Sequence, residues 1–134
     1  VLEFAFDSRE ESDYLPHNYG KNCVVYTGTH DNDTVSGWFT SAPPKDVRFC
    51  RDYLQLTDKE GWNWGFIRGA WGSTGELAIA QMQDFLDLGS ESRINTPSTL
   101  GGNWCWRLGK RDLTAALAAK IRRITKRYGR LAAR

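Results

Sequence analysis

Thr29-His30-Asp31-Asn32-Asp33 places hydroxyl, imidazole, carboxylate and amide groups within five residues. An ionised Asp accepts two or more hydrogen bonds, and a His can donate one. Side by side, the two can grip neighbouring hydroxyls through charge-assisted bonds, roughly twice as strong as neutral ones. Two other readings stand beside this one. Asp31 to Thr34 are also the residue types that turn a chain and cap a helix. His30, Asp31 and Asp33 carry metal-ligand atoms too, although His17 is the only other His in the chain.

Aromatic residues form a second signal. The chain holds six Trp, five Tyr and six Phe, nearly all before the C-terminal tail. Trp62, Trp64, Trp71, Trp104 and Trp106 are rigid surfaces that could stack on the apolar faces of sugar rings, but such residues are more often core. Trp71 reads as core. Trp104 and Trp106, in a Gly-rich stretch, read as platforms.

The formal net charge of +2 is uneven, with nine Lys or Arg against the single acid Asp112 from Lys110 to Arg134. Leu113, Leu117, Ile121, Ile124, Tyr128 and Leu131 form one apolar stripe at helical spacing there. A solvated opposite face accounts for the cations, so nucleic-acid binding is not expected. Cys23, Cys50 and Cys105 are an odd set without a C-x-x-C pair, which suits a reducing, cytoplasmic setting. No apolar run is long enough for a membrane span.

The elements that must position these groups follow a βα rhythm. Val1 to Phe6 alternates like a strand and reads as the cut edge of a longer chain. Asn22 to Thr27 reads as a second strand, apolar enough for burial on both faces, as in a parallel sheet. Asp33 or Thr34 can cap a helix after it. Pro43-Pro44 breaks the chain before a helix from Lys45 to Leu56, and another runs from Trp64 to Trp71. Leu77 to Met82 is the third candidate strand, with a short helix from Gln83 to Leu88. Ser90 to Arg107 reads as a structured loop, and a terminal amphipathic helix covers 110–131. In such α/β sheets ligands bind beyond the C-terminal strand ends, where His30 to Asp33 sit.

Val25-Tyr26-Thr27-Gly28-Thr29-His30-Asp31-Asn32-Asp33-Thr34 with Gly37-Trp38 resembles the strand-seven signature of glycoside hydrolase family 77, the 4-α-glucanotransferases or amylomaltases. The likeness continues in Phe4-Ala5-Phe6-Asp7, Leu15-Pro16-His17-Asn18-Tyr19, Gln83-Asp84-Phe85-Leu86, Arg93-Ile94-Asn95-Thr96-Pro97 and Asn103-Trp104-Cys105-Trp106-Arg107. Ser98 and Cys105 depart from the usual pattern.

The resemblance implies an α/β fold: the C-terminal part of a (β/α)8 TIM barrel, about strands 6–8 with flanking helices. Residues 1–134 would be one portion of a single catalytic domain. It implies retaining transfer of α-1,4-glucan segments, which needs a nucleophilic carboxylate and a separate acid/base. Both would lie upstream of this chain. Asp31 would be the third carboxylate, the transition-state stabiliser that holds the 2- and 3-hydroxyls of the donor sugar. His30, Asn95 and Phe4 would be further substrate-binding residues, and Trp104, a platform by its place in the Gly-rich stretch, is counted with them. No metal or organic cofactor is implied, and the partners would be α-1,4-glucans and maltooligosaccharides. Two rival readings are a non-catalytic glucan-binding module and a fragment of an α-amylase-type hydrolase.

Overall fold

β1 (Val24–Tyr26) and, later in the chain, β2 (Leu77–Ile79) pair in parallel, with Val24 opposite Leu77, Val25 opposite Ala78 and Tyr26 opposite Ile79. The structure, a computed structural model, describes residues 1–6 and 12–132. Asp7 and the beginning of the loop after it lie outside the described residues.

Parallel strands need a long crossover. Here it contains α1 (Val35–Ser41), α2 (Pro44–Leu54) and α3 (Trp62–Trp71). Pro44 opens α2 at a position where its missing N–H costs nothing. Gln55 ends α2 in the left-handed conformation, at φ 51°. After β2 come α4 (Met82–Phe85) and α5 (Ala115–Arg127).

The core is built around α3, which packs on α1, α2, α4, α5 and β2. Trp64, Phe66, Ile67, Ala70 and Trp71 on this helix are buried. The fully buried Phe6 ring sits 5.8–6.1 Å from the rings of Trp38, Phe49, Tyr53 and Phe66. Burying each such side chain contributes about 1.5–3 kcal/mol. Trp71 also donates its indole N–H to Thr125 Oγ1 at 3.1 Å, tying α5 to the core.

Three expectations are corrected. Leu2–Phe6 is a 3-10 helix, not a strand. Its buried apolar residues are Leu2, Ala5 and Phe6, while Phe4 points out. That spacing is helical, and a window of six residues did not separate it from alternation.

The sheet is buried on one face only within this chain. Val25 is buried, but Val24 and Leu77 are about half exposed, at 47% and 51%, and Ile79 is 37% exposed.

The terminal helix is shorter than 110–131. Thr114 caps it by accepting from Leu117 N at 3.1 Å. Gly129, at φ 67°, closes it: Gly129 N–H bonds Lys126 O and Arg130 N–H bonds Thr125 O, a Schellman motif. Leu113 and Leu131 therefore fall outside the helix.

Candidate functional site

Immediately beyond the C-terminal end of β1 the chain makes a tight turn from Thr29 to Asn32. Asn32 N–H bonds Thr29 O at 3.1 Å. Asn32 Oδ1 accepts from both the N–H and the hydroxyl of Thr29, at 2.9 and 2.8 Å. An Asn side chain closing a turn in this way is a local preference of the residue. His30 and Asp31 occupy the two central positions, with side chains about half exposed (53% and 51%).

The capping reading is decided by the next residues. Thr34 is the N-cap of α1, accepting from Gly37 N at 3.0 Å. Asp33 is spent on structure: Oδ1 accepts from Thr34 N at 2.7 Å and Oδ2 from the Ser90 hydroxyl at 2.7 Å. Asp31 caps nothing. Among the described residues no group of three or more His, Cys, Asp or Glu could hold a metal ion.

Asp31 instead meets residues from far along the chain. Asn95 donates its side-chain amide to Asp31 Oδ1 at 2.7 Å, and His30 Nε2 lies 3.3 Å from the same oxygen. No described residue donates to Oδ2. The two segments are laced at the backbone as well, by Asn95 N–H to His30 O at 3.1 Å. Arg93 completes the lacing, donating to Asp31 O at 2.6 Å and to Asn95 O at 2.9 Å. The result is a carboxylate fixed through one oxygen, with no described donor on the other.

Trp104 forms one wall. Its N–H bonds Ile94 O at 2.7 Å, and its ring lies 5.0 Å from the His30 ring with a 38° tilt. The loop that delivers it is unusual: Ser98, Gly101, Gly102 and Trp104 all have positive φ, 62° at Trp104. Bulky residues rarely adopt that conformation, and such strain clusters at functional sites. The residue remains 57% exposed.

Phe4 is not brought into this cluster by any described contact. It is 49% exposed, with its ring edge-on to Tyr14 at 5.5 Å. Trp106 is half-buried, and no described hydrogen bond or ring contact links it to His30 or Asp31, while Trp64 and Trp71 are core.

Sequence reasoning assigned no role to the groups beneath the turn. Asp84, only 1% exposed, accepts from Thr27 Oγ1 at 2.7 Å and Val35 N at 2.9 Å, so α4 clamps both ends of the β1–α1 loop. Burial, chiefly, raises its carboxyl above the ordinary range. Gln81 donates to Thr29 O at 3.1 Å, and Gln83 to Ser92 O at 3.0 Å. Glu3, 5% exposed, has its carboxyl pushed up to about 9, first by burial and then by Asp84 and Asp33. A carboxylate amid apolar residues next to a motif was the available signal for Asp84 and Glu3, but only folding showed that both are sealed.

Comparison with known proteins adds to this geometry. The glycoside hydrolase 77 family model, described as 4-alpha-glucanotransferase, matches residues 1–113. The chain belongs to this family. A 4-alpha-glucanotransferase of Clostridium butyricum is 53% identical over 97% of the chain, and one from Synechocystis is 47% identical over 97%. The chloroplastic/amyloplastic 4-alpha-glucanotransferase of Solanum tuberosum is 47% identical over 98%. A solved amylomaltase from Streptococcus agalactiae, in complex with acarbose, superposes with a TM-score of 0.94 at 36% identity over 98% of this chain. The chain spans 27%, 26% and 23% of those three relatives, and 27% of the amylomaltase chain. No helix among the described residues is long and apolar enough to cross a membrane.

Proposed function

We propose that this chain is the C-terminal part of a 4-α-glucanotransferase and supplies the wall of the donor-sugar subsite. The supporting observation is Asp31: Oδ1 is anchored by Asn95 while Oδ2 has no donor among the described residues. A carboxylate presented in this way can close on the vicinal 2- and 3-hydroxyls of a glucose unit.

In a retaining enzyme the anomeric carbon develops oxocarbenium character and the ring flattens. Hydrogen bonds to the 2-hydroxyl tighten as it does so, favouring the transition state over the bound ground state. Asp31 serves as transition-state stabiliser in this reading. His30 donates to a neighbouring hydroxyl, Asn95 orients the carboxylate and contacts the same sugar, and Trp104 offers an apolar face. Phe4, exposed on its 3-10 turn, lines the glucan groove further off.

The nucleophile and acid/base belong to the rest of the enzyme, within a double displacement completed by the 4-hydroxyl of an acceptor glucan. No metal or organic cofactor enters this scheme, and the substrates are α-1,4-glucans and maltooligosaccharides.

Residues 1–134 are read as one portion of a single (β/α)8-barrel domain. The site groups follow the C-terminal ends of parallel strands, where barrel active sites sit. The bare sheet face of Val24, Leu77 and Ile79 would point to the interior that the missing strands enclose. Three free cysteines favour a reducing compartment such as the cytoplasm.

The deciding experiment is Asp31→Asn in the full-length enzyme, assayed for disproportionation of maltotriose. A loss of kcat of about 10²–10³-fold, the scale of removing one preorganised transition-state contact, is expected with little change in KM. Near-normal turnover would refute the role.

A further inference from the structure

Below the turn that presents His30 and Asp31, the buried carboxyl of Glu3 is packed with Asn32 against Gly28. Glu3 comes from the Leu2–Phe6 turn, held by its N–H to Thr27 O at 3.1 Å. The carboxyl is pressed against the chain so closely that a Cβ on Gly28 would come within 2.7 Å of Oε1. The same Cβ would lie 3.1 Å from Asn32 Cβ, so Glu3, Gly28 and Asn32 are in one packed contact.

Glu3 Oε1 is buried without a hydrogen-bond donor. An unpaired buried carboxylate is far costlier than a neutral acid there.

We propose that Glu3 is a positioning residue: held as an uncharged carboxylic acid, it braces Asn32 and so fixes the turn that carries Asp31. The brace runs from the Glu3 carboxyl, packed with Asn32 against Gly28, through Asn32 Oδ1 to both donors of Thr29, and so around the turn to His30 and Asp31. The surrounding charges agree. Asp84 and Asp33 face the carboxyl and oppose its ionisation, while Arg93 and the Asn32 amide favour it. Burial outweighs the favourable pair, placing the group at about 9. This role rests on the reading of Asp31 as the sugar-gripping residue.

Linkage fixes the pH signature. The folded-state value, about 9, lies above the ordinary 4.5. Between those values the unfolded chain has lost the proton and the folded chain has kept it. Stability from this group is therefore complete below about 4.5, falls as pH rises, and reaches its floor near 9.

The test uses the full-length enzyme with Glu3→Gln and Glu3→Ala. Gln keeps the shape and supplies a permanent donor, so E3Q should retain turnover near neutral pH, whereas E3A should lose about tenfold or more, the scale of one broken buried hydrogen bond. The Tm of E3Q minus that of wild type should be smallest near pH 4.5, grow with pH and level off near 9. The alkaline fall in kcat should move upward in E3Q. A Tm difference that does not vary with pH, or E3Q as inactive as E3A, would overturn the proposal. The Tm series does not involve Asp31, so an active D31N would sink the sugar-gripping reading while leaving the Glu3 result interpretable.

Discussion

Asn95 Nδ2 and Asp31 Oδ1 lie 2.7 Å apart although 64 residues separate them in sequence. This bond fixes a half-exposed surface carboxylate through one oxygen and leaves the other without a described donor. A hydrogen bond to a charged group is worth about 1.5–3 kcal/mol. Asn95→Ala in the full-length enzyme is therefore expected to lower kcat/KM by about 10–100-fold. Asn95→Asp should be worse, since it sets a second carboxylate against Asp31. Maltotriose kinetics check both, and an N95D variant as active as wild type would dismiss the pairing.

Trp104 separates binding from folding. At φ 62° its backbone sits where Gly is at ease and Trp is not. Trp104→Gly should relieve that strain while deleting the ring that stands 5.0 Å from His30. The expected outcome is a KM raised about tenfold, the scale of one lost aromatic stacking contact, with Tm unchanged or higher. A lowered Tm with unchanged KM would make Trp104 a structural residue instead.

How much of this was readable before folding differs from residue to residue. A cap at Asp33 or Thr34 was legible because it depends on residues three apart, though only the structure chose Thr34, and the α5 stripe because its 3.6-residue period persists over several turns. The strand at Val24–Tyr26 was legible from its β-branched and aromatic run. Leu2–Phe6 was not, since six residues carry too little periodicity to tell a helical turn from a strand. Nor was the ionisation of Glu3, which depends on Asp84 and Arg93, 81 and 90 positions away, and on burial that only tertiary packing creates. His30, Asp31 and Asn95 were placed together through family resemblance rather than through spacing, because contacts across sixty residues leave no local pattern; Phe4, placed with them, packs on Tyr14 instead.

Asp84 should matter for stability more than for chemistry. Both of its oxygens are used, one by Thr27 Oγ1 and one by Val35 N. Asp84→Asn places an N–H₂ where a second acceptor is required, leaving one buried partner unsatisfied at a cost of about 1–3 kcal/mol. The Tm of the full-length enzyme should fall, and kcat should fall with it as the β1–α1 loop loses its tie to α4. An unchanged Tm would show that the clamp is dispensable.

The exposed sheet face makes the last prediction. Val24, Leu77 and Ile79 present adjacent apolar side chains on paired strands, and the edges of a two-stranded sheet offer free backbone groups. Parallel sheets are ordinarily covered on both faces, and bare edges invite association. Residues 1–134 expressed alone should therefore self-associate in sedimentation velocity and release no glucose from maltotriose. Adding the upstream part of the enzyme should cover that face and restore both a defined particle and transfer. A stable, monomeric and active piece would contradict the placement of the nucleophile and acid/base outside this chain, and with it the division of labour that leaves Asp31 only the grip.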